Sequence, residues 1–152
     1  MKSVSKLFFV LIAVFAGLNT VKGQTSMKDD EADRAAEVKK YVQTKDYVFE
    51  ATNKGSMPLS YHKYDVAIDK DTLIANLPGS SGKIKFDCTK YNYSEWRGKN
   101  GDMNVLIKPN TQMADVKEIK MEITPEGHAM VQVERHRGEP LSLNGYVKQE
   151  DY

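Results

Sequence analysis

The chain has 152 residues, with 22 lysines and arginines against 21 aspartates and glutamates, a formal net charge of +1 and a single cysteine. So even a balance excludes a nucleic-acid interface built on a basic stripe, and the lone Cys88 excludes an intrachain disulfide framework. At this size one domain with one core is expected, held by packing and backbone pairing.

Lys2 and Lys6 open the chain, an apolar run follows from Leu7 to Leu18, and Val21 and Gly23 supply short residues before Gln24. This layout predicts a secretory signal peptide over residues 1–23, too short and too weakly flanked for a stable membrane span. Its removal takes away Lys2, Lys6 and Lys22, so the charge falls from +1 to about −2. No cysteine stands directly after the cut, where Gln24 follows, and no later apolar run approaches membrane length. The expected product is a soluble exported domain over 24–152, periplasmic or secreted, without a lipid anchor or an integral membrane segment.

The spacing predicts a helix over 29–44. Ala32, Ala35, Val38 and Val42 recur three or four apart and share a face with Tyr41. Asp29, Asp30, Glu31 and Asp33 crowd its start and Lys39 and Lys40 its end, which suits the helix dipole, with Ser26 as a weak cap. The period then switches to two. Tyr47, Phe49 and Ala51 alternate with Val48 and Glu50, and 53–60 reads as a loop on Gly55 and Pro58. Tyr64, Val66 and Ile68 form the next strand, joined to 72–77 by a tight turn at Asp69-Lys70-Asp71.

After the connection at 78–82, Ile84, Phe86 and Cys88 fall on one face, which predicts a buried, unreactive thiol; Tyr91 and Tyr93 continue that strand. Gly98, Asn100 and Gly101 supply turn chemistry before a short strand at 104–108. Ile119, Met121 and Ile123 alternate next, Pro125-Glu126-Gly127 turns, and Ala129, Val131 and Val133 run back. A turn at 137–140 leads to a last strand over 141–147 and a loose tail at 148–152. One helix and about eight strands with short connections give a mainly β fold with an antiparallel sheet. That sheet either closes into a barrel or folds into two packed layers.

Tyr47-Val48-Phe49, the Asp71-Thr72 turn, Leu77-Pro78, Gly82-Lys83-Ile84-Lys85-Phe86-Asp87 and Leu143-Asn144-Gly145-Tyr146-Val147 occur in this order. Together they resemble the exported Bacteroidetes proteins catalogued as domain of unknown function 4251, over about 32–147. The resemblance implies a lipocalin-like antiparallel barrel at about 47–147 and no definite activity, ligand or catalytic residue. The glycine-rich insertion of that family is reduced here to Gly79-Ser80-Ser81-Gly82. A loop that gates a barrel mouth would be shorter in this chain.

Catalytic or metal chemistry finds little to stand on. His62, His128 and His136 lack the spacing of metal ligands, and 98–102 lacks the alternating oxygens of a calcium loop. Ser80 and Ser81 lack the strand–turn–helix setting of a nucleophile elbow, and Asp69 and Asp71 read as turn formers. The expectation is a binding protein with no cofactor, no metal and no catalytic residue. Tyr61, Tyr64, Tyr93 and Trp96 are the candidate ligand-binding residues, because aromatic bodies with polar tips suit pockets. Two readings follow. A small apolar or amphipathic ligand enters an open barrel beside these four residues, or a solid barrel binds an envelope protein or carbohydrate through its surface.

Overall fold

The computed structural model describes residues 22–59, 63–79, 82–89, 91–110 and 115–149, with side chains described throughout except at 22–26 and 82–88. The chain divides into two compact units, Met1–Asp33 and Arg34–Tyr152. Among the described residues, one helix, α1 (Lys22–Thr44), precedes ten strands. They are β1 (Asp46–Lys54), β2 (Met57–Pro58), β3 (Asp65–Asp69), β4 (Thr72–Gly79), β5 (Gly82–Cys88), β6 (Tyr91–Arg97), β7 (Met103–Pro109), β8 (Val116–Ile123), β9 (His128–Arg135) and β10 (Leu141–Lys148).

The helix begins at Lys22 and not at Asp29, because nothing from Gln24 to Lys28 breaks a helix, and Ser26 lies inside it. The acidic cluster therefore lies past the first turn and Lys39 and Lys40 before the last, so neither end carries the charges expected from the dipole. The apolar stripe holds from Ala35 onward, with Val38 and Val42 buried and Tyr41 half-buried. Lys45 ends the helix in the left-handed conformation, φ 55°. Its N–H returns to the Val42 carbonyl at 3.1 Å, and Thr44 Oγ1 donates to the Lys40 carbonyl at 3.0 Å. These bonds offset the roughly 1 kcal/mol that a side chain costs in that conformation.

All pairings are antiparallel, and the ladder runs β5-β4-β3-β1-β10-β9-β8-β7-β6, with β2 attached to β1. The expected loop after β1 is thus a small hairpin turning on Gly55, φ 57°. β5 and β6 are joined by residues 89–90 alone, yet stand at opposite ends of the ladder. Three Cα steps span at most about 11 Å, so the sheet must curl until its two ends approach. The result is a mainly β, curled half-barrel. The strand expected to continue from Cys88 into Tyr91 and Tyr93 instead breaks there and starts the other edge.

Alternation along the strands fills the interior. β10 reads buried–exposed throughout, and Val131, Val133, Ile119 and Ile123 line the same side as Leu143. Tyr47, Phe49, Ile68, Leu73, Leu77 and Ile107 are also fully buried, each such side chain contributing roughly 1.5–3 kcal/mol. Around the Ala51/Asn53 bulge, β1 presses so closely on β10 that a Cβ at Gly145 would collide with the Glu50 carbonyl. A second bulge, at Val116/Glu118, brings Glu118 to 8% exposure. Lys120 at 2.7 Å and Lys108 at 3.5 Å pair with its carboxylate there. The side chain of Cys88 lies outside the described ones.

Candidate functional site

Of the four aromatic residues expected at a pocket, Tyr61 lies outside the described residues. Tyr64 stands just before β3, half-buried, and its carbonyl accepts the Ala51 N–H at 2.9 Å. Tyr93 and Trp96 share β6, but three positions apart on a strand means opposite faces. Tyr93 faces inward across from Ile107, whereas Trp96 lies across from Asn104 on the outside, 52% exposed. These two are not brought into one pocket.

Tyr93 belongs to an internal network. Its hydroxyl donates to the Val42 carbonyl at 3.2 Å, which makes the Tyr47 hydroxyl the donor in the 3.3 Å contact between the two phenols. Met121 Sδ lies 3.9 Å from Tyr47 Oη. Burial pushes the Tyr47 hydroxyl well above the ordinary tyrosine range, and Tyr93 adds to the shift. Burial likewise raises Tyr93, against a smaller opposing effect of the bond from Tyr47. Lys45 Nζ stands 5.1 Å from the centre of the Tyr93 ring. Tyr91, beside it on β6, donates to the Lys70 carbonyl in the β3–β4 turn. β6 has one ladder neighbour, and its tyrosines tie its other side to α1, β1 and that turn. Their polar tips serve closure of the half-barrel.

The outer face of β8, β9 and β10 carries a concave feature of about 400 Å³. His128 and Tyr146 lie directly opposite each other in the β9–β10 register, ring centres 4.6 Å apart and planes tilted by 43°. One step along, Glu122, Met130 and Asn144 form a row across three strands. Thr52, lifted by the β1 bulge, closes one side and donates from Oγ1 to the Asn144 carbonyl at 3.2 Å. Met130 is 41% and Tyr146 44% exposed. The cleft thus offers an aromatic wall, a flexible apolar floor and an amide and a carboxylate beside them, a set suited to recognition by stacking and hydrogen bonding.

Neither His128, Met130 nor Tyr146 is among the residues the sequence singles out for binding. A signal existed: Met130 and Tyr146 are out of phase with the buried Val131 and Val147, so large apolar groups occupy positions where alternation calls for polar ones. His136 lies past β9, its N–H reaching the Asp115 carbonyl at 3.3 Å, and His62 is outside the described residues. Among the described residues, no three His, Cys, Asp or Glu side chains converge as a metal site. No described helix is long and apolar enough to cross a membrane.

The profile of a protein family described as "Domain of unknown function (DUF4251)" matches residues 29–147. In three dimensions the chain is similar to the crystal structure of a DUF4251 family protein from Bacteroides eggerthii DSM 20697. The TM-score is 0.60 at 15% identity, over 78% of this chain and 89% of that one. At that identity the likeness speaks for the fold alone. No curated protein matches the sequence.

Proposed function

The chain belongs to the DUF4251 family, and on that premise we propose that it is a non-catalytic binding module working through the outer face of its half-barrel. The carrying observation is the contrast between the two faces. Inside, Tyr47, Phe49, Ile68, Leu77, Ile119 and Leu143 are fully buried against one another. Outside, the His128–Tyr146 ring pair and Met130 stand open beside Glu122 and Asn144. The partner is a carbohydrate of the cell envelope or its surroundings. Sugar rings present an apolar C–H face to an aromatic side chain and hydroxyls to an amide and a carboxylate. Export through the signal at 1–23 would deliver the protein there; this rests on Lys2, Lys6 and the apolar run from Leu7 to Leu18.

The test is native intact mass of the protein from a periplasmic extract, followed by NMR titration with envelope oligosaccharides. Shifts confined to the β8–β10 outer face, lost in Tyr146→Ala, support the reading. A co-purifying apolar molecule that persists in Tyr146→Ala would favour a ligand inside the barrel. A stable protein subunit in the native mass would favour an envelope protein as the partner.

A further inference from the structure

A second cleft, of about 310 Å³, opens where α1 faces the β6–β7 and β8–β9 turns. Its apolar lining comes from Ala35 and Val38 of the helix, Met103 at the start of β7 and Pro125 in the β8–β9 turn. Val38 and Met103 are themselves core residues, so the lining is backed by packed structure and not by a mobile loop. At Gly101, in the β6–β7 turn, an added Cβ would come into ordinary contact with Pro125 Cγ at 3.8 Å, so the two turns approach to within about one methyl group at this rim of the cleft.

The charged side chains that line this cleft are both cationic. Lys39 and Arg97 line it, one from the helix and one from the end of β6, and no acidic side chain does. Neither cation has an ion-pair partner among the described residues. Elsewhere on the barrel Lys108, Lys117, Lys120, Arg135 and Lys148 each meet a carboxylate. An apolar cleft with two unpartnered cations calls for a ligand with an aliphatic body and an anionic head.

We propose that this cleft binds a single-chain anionic amphiphile, such as a free alkyl carboxylate, with its chain against Val38 and Met103 and its head between Lys39 and Arg97. The volume lies at the lower end of ligand pockets, which suits one chain of moderate length and excludes a two-chain lipid. Each methylene added to the ligand should tighten binding about fourfold until the cleft is full.

The experiment is calorimetric titration of the purified protein with octanoate, decanoate and decanol, with sedimentation against phosphatidylglycerol vesicles as a separate arm. The expected result is one decanoate per chain, bound more tightly than octanoate and at least tenfold more tightly than decanol. Lys39→Gln with Arg97→Gln should erase the preference for decanoate while leaving decanol binding as it was. Ala36→Trp, on the exposed rim of the cleft, should weaken both ligands at least tenfold, with far-UV circular dichroism confirming an intact fold. The proposal is overturned if decanoate does not bind, if decanoate and decanol bind alike, or if folded Ala36→Trp retains full affinity. Binding to vesicles alone would replace it with a membrane-surface role. Tyr146→Ala should leave decanoate affinity unchanged; its loss there would place the ligand on the outer face instead.

Discussion

The Tyr47 hydroxyl sits 3.3 Å from that of Tyr93, and through it β1, the last turn of α1 and the edge strand β6 are held as one unit. Removing the Tyr93 hydroxyl leaves the Tyr47 phenol with Met121 Sδ and the Val42 carbonyl without this donor. Tyr93→Phe should therefore cost about 1–2 kcal/mol. Tyr47→Ala, which empties a fully buried site, should cost about 3–5 kcal/mol. Urea denaturation midpoints, read with an unchanged slope, check both values.

Alkaline stability depends on the same pair. The folded-state Tyr47 is raised well above the ordinary value by burial, and Tyr93 is raised too, while the unfolded chain ionises its tyrosines near pH 10. Their contribution is complete below about pH 10 and is lost progressively as pH rises from there toward the folded values. Equilibrium unfolding measured across the alkaline range should show stability falling, and Tyr47→Phe should flatten that slope. An equal slope in Tyr47→Phe would contradict the buried-phenol account.

At the acid end the relevant group is Glu134, held below its usual range first by its hydrogen bond to Lys120 and next by that lysine's charge. A depressed carboxylate stabilises above its unfolded pKa, and that contribution disappears as pH falls through the lower folded value. Because Glu134 and Lys120 are solvated, the effect should be small and should shrink as salt is added. Lys120→Ala should flatten the acid limb of the stability profile at low ionic strength.

Two glycines should respond in opposite degree to the same change. Gly145→Ala drives a methyl into the Glu50 carbonyl, with backbone atoms that cannot step aside, and should cost about 3 kcal/mol or more. Gly55→Ala has open space around it and meets only the strain of φ 57°, for about 1 kcal/mol. Thermal melting of the two variants gives the comparison directly.

The outer-face residues should behave differently again. Tyr146→Ala and Met130→Ser remove exposed side chains and should change stability by less than about 0.5 kcal/mol. A loss of oligosaccharide binding in these variants would then report on recognition and not on folding.

Where the sequence spoke clearly, it did so through local pattern. Ile119, Met121 and Ile123 with Ala129, Val131 and Val133 announced β8 and β9, and Pro125-Glu126-Gly127 announced the turn, which Gly127 makes at φ 87°. The break between β5 and β6 was not legible, because Thr89-Lys90 contains no turn-forming glycine or proline and the break arises from curling of the whole sheet. The network at Tyr93 was equally hidden. Its partners come from Tyr47 and Val42, far away in the chain, and pairing at that distance leaves no local trace. The outer cleft was half legible, through the phase of Met130 and Tyr146, but its ring pair needed the β9–β10 register.

The placing of β1 between β3 and β10 has a consequence for the way the protein is made. Phe49 finds a neighbour in Val66 soon after synthesis, but its other neighbour, Val147, is among the last residues to arrive. Until then β1 presents a bare edge, and so does β9. A nascent or truncated chain ending before Leu141 therefore leaves both edges open to pairing with its own copies, and the final strand covers both at once.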